Sequence, residues 1–290
     1  MNNYGSAFSE LRKKKNYTQS QVAEGILSRQ QLSKFEKNLH TINIVSFFEL
    51  LDRLNVTNNE LLITINEPKS FHQSTFNYQI GLAILYKDVQ KLMTLKSSET
   101  DWYQKDQNIR HQHNIILIDQ YCLKFNNQPF DESLTQVITD YLFECEEWSY
   151  YELCLYNNCL EFLPIPFIKS TIKIASARSK KYIQLQQNKH IQAILFLNIV
   201  LVLLQNQALD AAYQMISSTK EILANSTLFF EINRLTHLEG IYHIIRGNIN
   251  VGKQKCLQAI KALEYFGNQA HLQNHQNELT EFFGKNFTLE

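Results

Sequence analysis

Glycine and proline are scarce in this sequence, with 8 and 4 residues among 290. Both residues mark the tight turns on which β-rich folds depend. Stretches in which apolar and polar residues alternate are also few, whereas many long stretches repeat apolar residues every three to four positions. The sequence therefore predicts an all-α protein and argues against an extensive β-sheet.

Paired cysteine motifs are lacking as well. The five cysteines are an odd number and form no C-x-x-C pair. Because they lie inside apolar helical patterns, we expect them to be small buried side chains in a reducing cytosol. They are Cys122, Cys145, Cys154, Cys159 and Cys256.

No apolar run is long enough to cross a bilayer. The longest, Ile194 to Leu204, has 11 residues and is interrupted by Asn198, whereas a transmembrane helix needs about 20. The N-terminus is polar, unlike a secretory signal. We therefore expect a soluble cytoplasmic protein without membrane contact.

Catalytic and metal-binding patterns are weak. His111 and His113 are two residues apart and diverge on a helix, and there is no glycine-rich phosphate loop. His271 and His275 share a helical face, but they lie in a polar C-terminal helix that we expect to be exposed and that has no evident third ligand. We expect no enzyme activity, no cofactor and no metal.

Charge is balanced overall but not along the chain. The 28 basic and 28 acidic residues cancel, yet residues 1–40 contain seven Lys and Arg against three acids, a net charge of +4. A basic pole on a neutral protein indicates local contact with a polyanion. A solvated charged face is the alternative.

The segment Thr18 to Glu36 carries two helix-start signals ten residues apart. Thr18 and Ser28 are each followed three residues later by glutamine, which is the capping-box pattern. This spacing predicts two short helices joined by a tight turn. The second helix directs outward the side chains that can bond base edges and phosphates. They are Arg29, Gln30, Ser33, Lys34 and Lys37.

Three further helices complete a compact N-terminal domain over residues 1–65. The first is expected from Ser6 to Lys15, and a short fifth helix follows the cap residue Thr57. Between them, a helix over residues 44–54 is expected to bury one apolar stripe. That stripe consists of Ile44, Phe47, Phe48, Leu51 and Leu54.

The pattern TQ-x-x-VA followed by LS-x-x-x-LSKFE resembles the helix-turn-helix of phage-repressor and Xre-type regulators. The resemblance implies that Gln19 contacts the DNA backbone and that Arg12 pairs with Glu36. It also implies a recognition helix with the DNA-contacting residues Ser28, Arg29, Gln30, Gln31, Ser33, Lys34 and Lys37. The turn, with its Gly25, is one residue shorter than the common pattern, which leaves open which of residues 29–31 faces a base.

Residues 66–74, NEPKSFHQS, lose helical periodicity and are expected to be a linker. Beyond them, residues 75–290 show a loose repeat of about 42 residues, which predicts stacked tetratricopeptide-like hairpins in a right-handed superhelix. First helices are expected near Cys145, Asn188 and Phe230. One or two further, degenerate hairpins are expected from the segments Thr75–Met93, Asp101–Phe125 and Asp131–Phe143.

Stacked hairpins form a concave face that suits an extended peptide, and amide side chains can pair with a peptide backbone. The candidate contacts are Tyr156, Asn157, Asn158, Asn198, Arg234 and Tyr242. Alternatively, the asparagines cap neighbouring helices or face a buried water, and the aromatic residues pack in the core.

The blocks LSKFEKN, FFELLDRLNV and EWSYYELCLYNNCLEFLP, together with this layout, resemble the Rgg/GadR/MutR family of regulators. The resemblance implies a homodimer that binds double-stranded promoter DNA and, in many members, a short hydrophobic signalling peptide. We expect dimer contacts from the last helices, through Leu272, Leu279, Phe282 and Phe283. The alternative is an interaction scaffold whose N-terminal domain binds a protein rather than DNA.

Overall fold

The computed structural model describes residues 3–65, 72–182 and 184–289, and within them the regular structure is helical. The chain divides into two compact units, residues 1–86 and 87–290. The fold class is the expected one, an all-α chain with a helix-turn-helix head and a helical repeat domain. We call residues 3–65 the head and residues 87–290 the repeat domain.

The first unit contains six helices in its described residues. Five of them form the head around an apolar core in which Phe8, Val22, Leu32, Leu50 and Leu54 are completely buried. The helices are α1 (Tyr4–Lys14), α2 (Gln19–Ala23), α3 (Arg29–Glu36), α4 (Ile44–Arg53), α5 (Asn58–Ile65) and α6 (His72–Leu85).

Helix α1 begins two residues earlier than expected, at Tyr4 instead of Ser6. The cap comes from a distant residue, since Asn38 Oδ1 accepts hydrogen bonds from the main-chain nitrogens of Gly5 and Ser6. Gly5 permits this approach, because an added Cβ would lie 1.8 Å from the carbonyl oxygen of Phe35. A cap supplied from 33 residues away leaves no local sequence signal.

The buried face of α4 is rotated from the one that we expected. Ile44 and Phe48 are 69% and 48% exposed, whereas Leu50, Leu51 and Leu54 are buried. Apolar side chains cover more than one face of this helix, so periodicity alone does not choose the inner one. Packing against α2 decides it.

The linker prediction lies largely outside the described residues, because it covers residues 66–74 and description resumes at residue 72. Residues 72–74 form the first turn of α6, which belongs to the first compact unit. The boundary between the DNA-binding and repeat regions therefore stays a prediction.

The repeat domain contains ten helices in its described residues, with short 3₁₀ turns at Leu160–Phe162 and Lys180–Tyr182. They are α7 (Val89–Asp106), α8 (Ile109–Phe125), α9 (Glu132–Glu144), α10 (Tyr150–Cys159), α11 (Ile165–Ser179), α12 (Gln186–Gln205), α13 (Leu209–Leu223), α14 (Phe229–Ile245), α15 (Ile249–Tyr265) and α16 (Gln269–Phe283).

Two expected segments are broken by turns. Lys87 and Gln107 have φ angles of +52° and +53°, which end a helix in the left-handed region. Asp88 and Asn108 then cap the next helices through their side chains. Thr75–Met93 and Asp101–Phe125 are thus each divided between two helices.

The three expected hairpins are present as α10 with α11, α12 with α13, and α14 with α15. The first begins at Tyr150 rather than near Cys145, because Trp148 holds the preceding turn. Its main-chain nitrogen donates to the carbonyl of Arg178 at 3.1 Å, and its indole donates to the carbonyl of Leu142 at 3.2 Å.

Helices α10, α12 and α14 pack side by side, and α16 packs on α14. We call these four the inner helix row. Helix α12 is long and apolar enough to cross a membrane by length and composition, but 61% of its most apolar window is buried. It is the central helix of this row, which explains its apolar composition.

Helices α14 and α15 approach closely at two glycines. An added Cβ on Gly240 would lie 2.5 Å from Cys256 Sγ, and one on Gly252 would lie 2.5 Å from the carbonyl oxygen of Gly240. Ala259 is 1% exposed in the same contact. Gly240, Gly252 and Ala259 therefore permit the close packing of these two helices.

Candidate DNA-binding surface and ligand pocket

The turn between α2 and α3 is held from both sides. Gly25 adopts a φ of +74°, which favours glycine. The side chains of Thr18 and Ser28 each accept a hydrogen bond from the main-chain nitrogen three residues on. In return, the side-chain oxygens of Gln21 and Gln31 accept hydrogen bonds from the main-chain nitrogens of Thr18 and Ser28. Both helices of the motif therefore begin with a complete capping box.

Arg53 of α4 fixes the end of α2. Its guanidinium donates to the carbonyl of Val22 at 3.1 Å and to the carbonyl of Glu24. These are carbonyl groups that a helix end leaves without intrahelical partners. No local sequence pattern indicates this role, because the contact joins residues about 30 positions apart.

Helix α3 separates its apolar and polar faces. Leu32 and Phe35 are 0% and 7% exposed in the core, whereas Arg29, Gln30 and Lys34 are exposed. Lys37, at the end of the helix, is exposed too, and Ser33 is half-buried. The side-chain oxygens of Ser28 and Gln31 take part in the capping box. We therefore expect Ser28 and Gln31 to contact DNA chiefly through their remaining polar hydrogens.

A buried ion pair joins α3 to α1, as the resemblance implies. Arg12 Nε and Nη2 donate to the two carboxylate oxygens of Glu36 at 2.5 and 2.8 Å. Burial raises the pKa of Glu36, but hydrogen bonds from Arg12, Gln19 and Ser9 lower it further, so the net shift is downward. The pair stays charged and forms a brace behind the recognition helix.

Gln19 and the basic run also have partners within the head. Gln19 Nε2 donates to Glu36 Oε2 at 2.8 Å, Lys14 pairs with Glu10 at 2.6 Å, and Lys15 donates to the carbonyl of Asn55 at 3.0 Å. Part of the excess positive charge of residues 1–40 therefore has a structural use. Helix α3 supplies the exposed cations of the helix-turn-helix itself.

A cavity of about 380 Å³ lies between α12, α14 and α16 of the inner helix row. Its lining includes two of the predicted peptide contacts, Asn198 and Arg234, together with Glu231, Glu278 and His275. Arg234 binds both carboxylate oxygens of Glu278 through two guanidinium nitrogens. The cavity is therefore lined with polar and charged groups.

Equivalent positions of successive inner helices are joined by hydrogen bonds. Asn198 Nδ2 donates to Asn157 Oδ1 at 2.9 Å across a separation of 41 residues, and Arg234 and Glu278 are 44 residues apart. Asn157 also donates to Asn158 Oδ1 at 3.4 Å. Four predicted contacts, Asn157, Asn158, Asn198 and Arg234, thus lie on this row of helices.

The other two predicted peptide contacts are core residues. Tyr156 is 0% exposed, packs 5.3 Å from the ring of Trp148 and bonds Thr171 at 2.6 Å. Tyr242 is 8% exposed and stacks on Tyr213. In this conformation both side chains are covered by their own domain, which fits the alternative that these aromatic residues pack in the core.

Two expectations for the last helix also fail. Leu272 and Leu279 are 8% and 6% exposed, so the repeat domain itself covers them. His275, expected in an exposed segment, is 1% exposed and packs 4.0 Å from the ring of His237. The sequence of α16 is polar overall, so it does not indicate that one face of this helix is buried against α14 and α15.

Three of the five cysteines are buried, as expected, and burial keeps their thiols protonated. It raises the pKa of Cys154 to about 11 and that of Cys256 to about 12, and it raises the pKa of Cys159 well above its usual value. A thiol must ionise to act as a nucleophile. These three residues are therefore unsuited to that role.

The fold and the exposed face of α3 define a class, the helix-turn-helix regulators with a helical-repeat domain. A helix-turn-helix family profile matches residues 8–61, and the profile of the C-terminal domain of the HTH-type transcriptional regulator Rgg matches residues 96–277, more than half of the chain. The chain belongs to the Rgg family of helix-turn-helix transcriptional regulators.

Solved structures share the fold over nearly the whole chain. The SHP pheromone receptor Rgg2 of Streptococcus dysgalactiae is 24% identical, with a TM-score of 0.79, covering 96% of this chain and 99% of that one. The PrgX/cCF10 complex is 16% identical, with a TM-score of 0.73, covering 96% and 99%. At these identities the similarity establishes the shared fold.

Proposed function

We propose that this regulator is a cytoplasmic homodimer without enzyme activity that binds promoter DNA through α3 and is controlled by a short peptide bound along the inner helix row. The observation that carries the DNA-binding surface is the exposed polar face of α3 on a helix capped by Ser28 and braced by Arg12 and Glu36.

In this proposal each protomer inserts α3 into the major groove. Two such helices in a dimer bind half-sites about one helical turn apart on a partly symmetric operator. Arg29 and Gln30 suit base edges because each can form two hydrogen bonds to guanine or adenine. Lys34 and Lys37 suit phosphates, and Gln19 stays a candidate for backbone contact.

Support for peptide control comes from the repeat domain. The amide side chains of Asn157, Asn158 and Asn198 lie together on the inner helix row, beside the cavity that contains Arg234. Among proteins of this fold, Rgg2 is described as a pheromone receptor and PrgX is seen in complex with cCF10. To act as a regulator, the peptide must bind one arrangement of the protein better than another, since equal affinity for both does not shift the equilibrium between them.

Titration of the protein with its own upstream DNA tests the DNA-binding surface. Arg29→Ala or Gln30→Ala should reduce preference for the operator over unrelated DNA by about 1–3 kcal/mol, because a base contact is lost. Lys34→Ala should weaken binding to all DNA sequences alike. It should also reduce the steepness of the plot of log affinity against log salt by about 1, because one phosphate contact is lost.

The control is Lys91→Ala, which removes an exposed lysine of the repeat domain. It should leave both quantities unchanged. If operator preference and salt slope are the same in all four variants, α3 is not the helix that contacts DNA.

One observation favours a protein partner for the head. Leu39, Ile44, Val45 and Phe48 are 48–69% exposed on one domain, and exposed apolar side chains are common at protein interfaces. Binding to heparin that vanishes between low and moderate salt would favour DNA. The absence of such retention at low salt would favour the protein partner.

A further inference from the structure

The cavity between α12, α14 and α16 carries more negative than positive charge. Three carboxylates line it, from Glu231, Glu278 and Glu281, against one guanidinium from Arg234. Arg234 is engaged with both carboxylate oxygens of Glu278. Burial raises the pKa of Glu278, but contacts with His237 and Arg234 lower it to about 2, so this carboxylate is ionised at neutral pH. Arg234 and Glu278 therefore balance each other, which leaves the carboxylates of Glu231 and Glu281 without a lysine or arginine partner among the lining residues.

Glu231 is a buried carboxylate with a weak partner. It is 5% exposed, and its Oε1 lies 2.9 Å from Nε2 of His190, whose side chain is 49% exposed. A half-exposed imidazole is shared with solvent, so it is a weaker partner for a buried carboxylate than an enclosed cation would be. A buried carboxylate is stable only when it is paired or well hydrogen-bonded. A cation that enters the cavity would supply that pairing.

A second, independent feature belongs to the lining of the same cavity. His275 lines it, is 1% exposed, and its Nδ1 has no hydrogen-bond partner among the described residues. Burial, with His237 and Arg234 nearby, lowers the pKa of His275 to about 3, so the ring is neutral and adds no positive charge. Buried polar atoms without a partner are rare in folded proteins, and one beside a cavity marks a place for a polar ligand group.

We propose that this cavity is a subsite for a cationic group, the ammonium of a lysine or of a peptide N-terminus or the guanidinium of an arginine, with Glu231 and Glu281 as its counter-charges and His275 Nδ1 as a hydrogen-bond acceptor. The inference rests on the proposed peptide control, since it specifies which chemical group of a peptide the inner helix row recognises. An anionic group would be repelled by the carboxylates of Glu231 and Glu281.

The test uses blocked amino acids of matched length as probes. N-acetyl-lysine amide carries the cation, N-acetyl-norleucine amide has the same chain without the charge, and N-acetyl-glutamate amide carries the opposite charge. Full-length protein labelled with ¹³C in its histidine rings reports binding through the signals of His271 and His275. We expect the lysine probe to shift these signals saturably, and the other two probes to leave them in place at the same concentration.

Variants then assign the binding to the proposed groups. Glu231→Gln and Glu281→Gln should each weaken binding of the lysine probe, and the double variant should weaken it at least tenfold. Glu281 is exposed, so its variant keeps the test valid even if Glu231→Gln disturbs folding. Glu264→Gln on α15, an exposed carboxylate outside the cavity lining, is the matched control and should bind as the wild type does.

The proposal is overturned if the norleucine or glutamate probe binds as tightly as the lysine probe, or if Glu281→Gln and the double variant bind the lysine probe unchanged. Either result is independent of operator binding. A protein that binds its operator but fails the probe test retains the proposed function and loses this subsite. A protein that binds the probe but no operator has the subsite without the proposed function.

Discussion

The head and the repeat domain bury polar groups in different ways. The head buries one ion pair, Arg12 with Glu36, inside an otherwise apolar core, and that pair is fully hydrogen-bonded. The repeat domain buries many more polar side chains, among them Glu231, His237 and His275. Some of these atoms, such as Nδ1 of His275, have no hydrogen-bond partner among the described residues.

The difference matches two tasks. A fully satisfied polar network rigidifies the structure around it, whereas an incomplete one leaves groups that a ligand can complete. The head therefore presents the side chains of α3 from a rigid base. In the repeat domain, a ligand or a proton can supply hydrogen bonds that the buried polar groups lack, so its stability should respond more to ligand and to pH.

Among the changes that test this comparison, removing the charge of Glu36 should have the largest effect on stability, and that effect should be confined to the head. Glu36→Gln leaves Arg12 buried without its counter-charge, and breaking such a pair costs about 3–5 kcal/mol. The head should therefore unfold at lower urea concentration, as followed by far-ultraviolet circular dichroism. The two tryptophans, Trp102 and Trp148, lie in the repeat domain, so the fluorescence transition should stay in place.

Glu10→Gln is the control for that experiment. Glu10 pairs with Lys14 on the surface of α1, where both side chains are at least half exposed, and exposed pairs contribute less than about 1 kcal/mol. Equal effects of Glu36→Gln and Glu10→Gln would show that the buried brace adds nothing special to the head.

A methyl group between α14 and α15 should have the next largest effect, confined to the repeat domain. In Gly252→Ala the new Cβ would lie 2.5 Å from the carbonyl oxygen of Gly240 and 2.8 Å from the main-chain nitrogen of Ile244. Backbone atoms cannot give way cheaply, so we expect a loss of about 1–3 kcal/mol. The tryptophan fluorescence transition in urea measures it.

Gly81→Ala is the matched substitution in the first unit. Gly81 lies within α6 and has open space around its Cα. Alanine should therefore stabilise that helix by about 0.5–1 kcal/mol, because glycine is the poorer helix former. A destabilisation of similar size by both variants would argue against close packing as the cause.

Mild acid should weaken the repeat domain by a smaller amount per pH unit. His275 has a pKa of about 3 in the fold, mainly because of burial, against about 6.5 in an unfolded chain. Below pH 6.5 the unfolded chain takes up a proton that the folded chain refuses, so stability falls with pH, by about 1 kcal/mol per unit for this one group.

Urea unfolding at pH 7, 6 and 5, followed by tryptophan fluorescence, measures that slope. His275→Gln should flatten it, whatever the variant does to stability at pH 7. The head contains one histidine, His40, which is exposed. An unchanged slope in His275→Gln would show that other groups cause the acid sensitivity.

Several features of the fold were accessible from local sequence. The capping boxes at Thr18 and Ser28 and the cap at Thr57 use partners only three residues away, so their signals lie within one turn of helix. Most helix ends without glycine were harder to place. Among the described residues, five of the eight non-glycine positions with positive φ are asparagines, which favour turns, whereas Lys87, Gln107 and Gln207 give no clear turn signal.

Part of the candidate site could be predicted as well. The outward face of α3 follows from a short helix with a clear apolar side, so Arg29, Gln30 and Lys34 were placed correctly on the surface. On α10, where apolar and aromatic residues surround the helix, periodicity did not separate the buried Tyr156 from the half-buried Asn157 beside it. Neighbouring residues on a helix differ in direction by only about 100°, so both can lie near the edge of a broad apolar face.

The sequence by itself determined the helical class, the helix-turn-helix and the repeat of about 40 residues, because these depend on periodicity and on bonds within one or two turns. Only the tertiary structure decided which face of α4 is buried, that Arg53 holds the end of α2, and that Glu231, Arg234, His275 and Glu278 meet at one cavity. Those features join residues about 30 or more positions apart, and their spacing depends on how helices pack rather than on any local pattern.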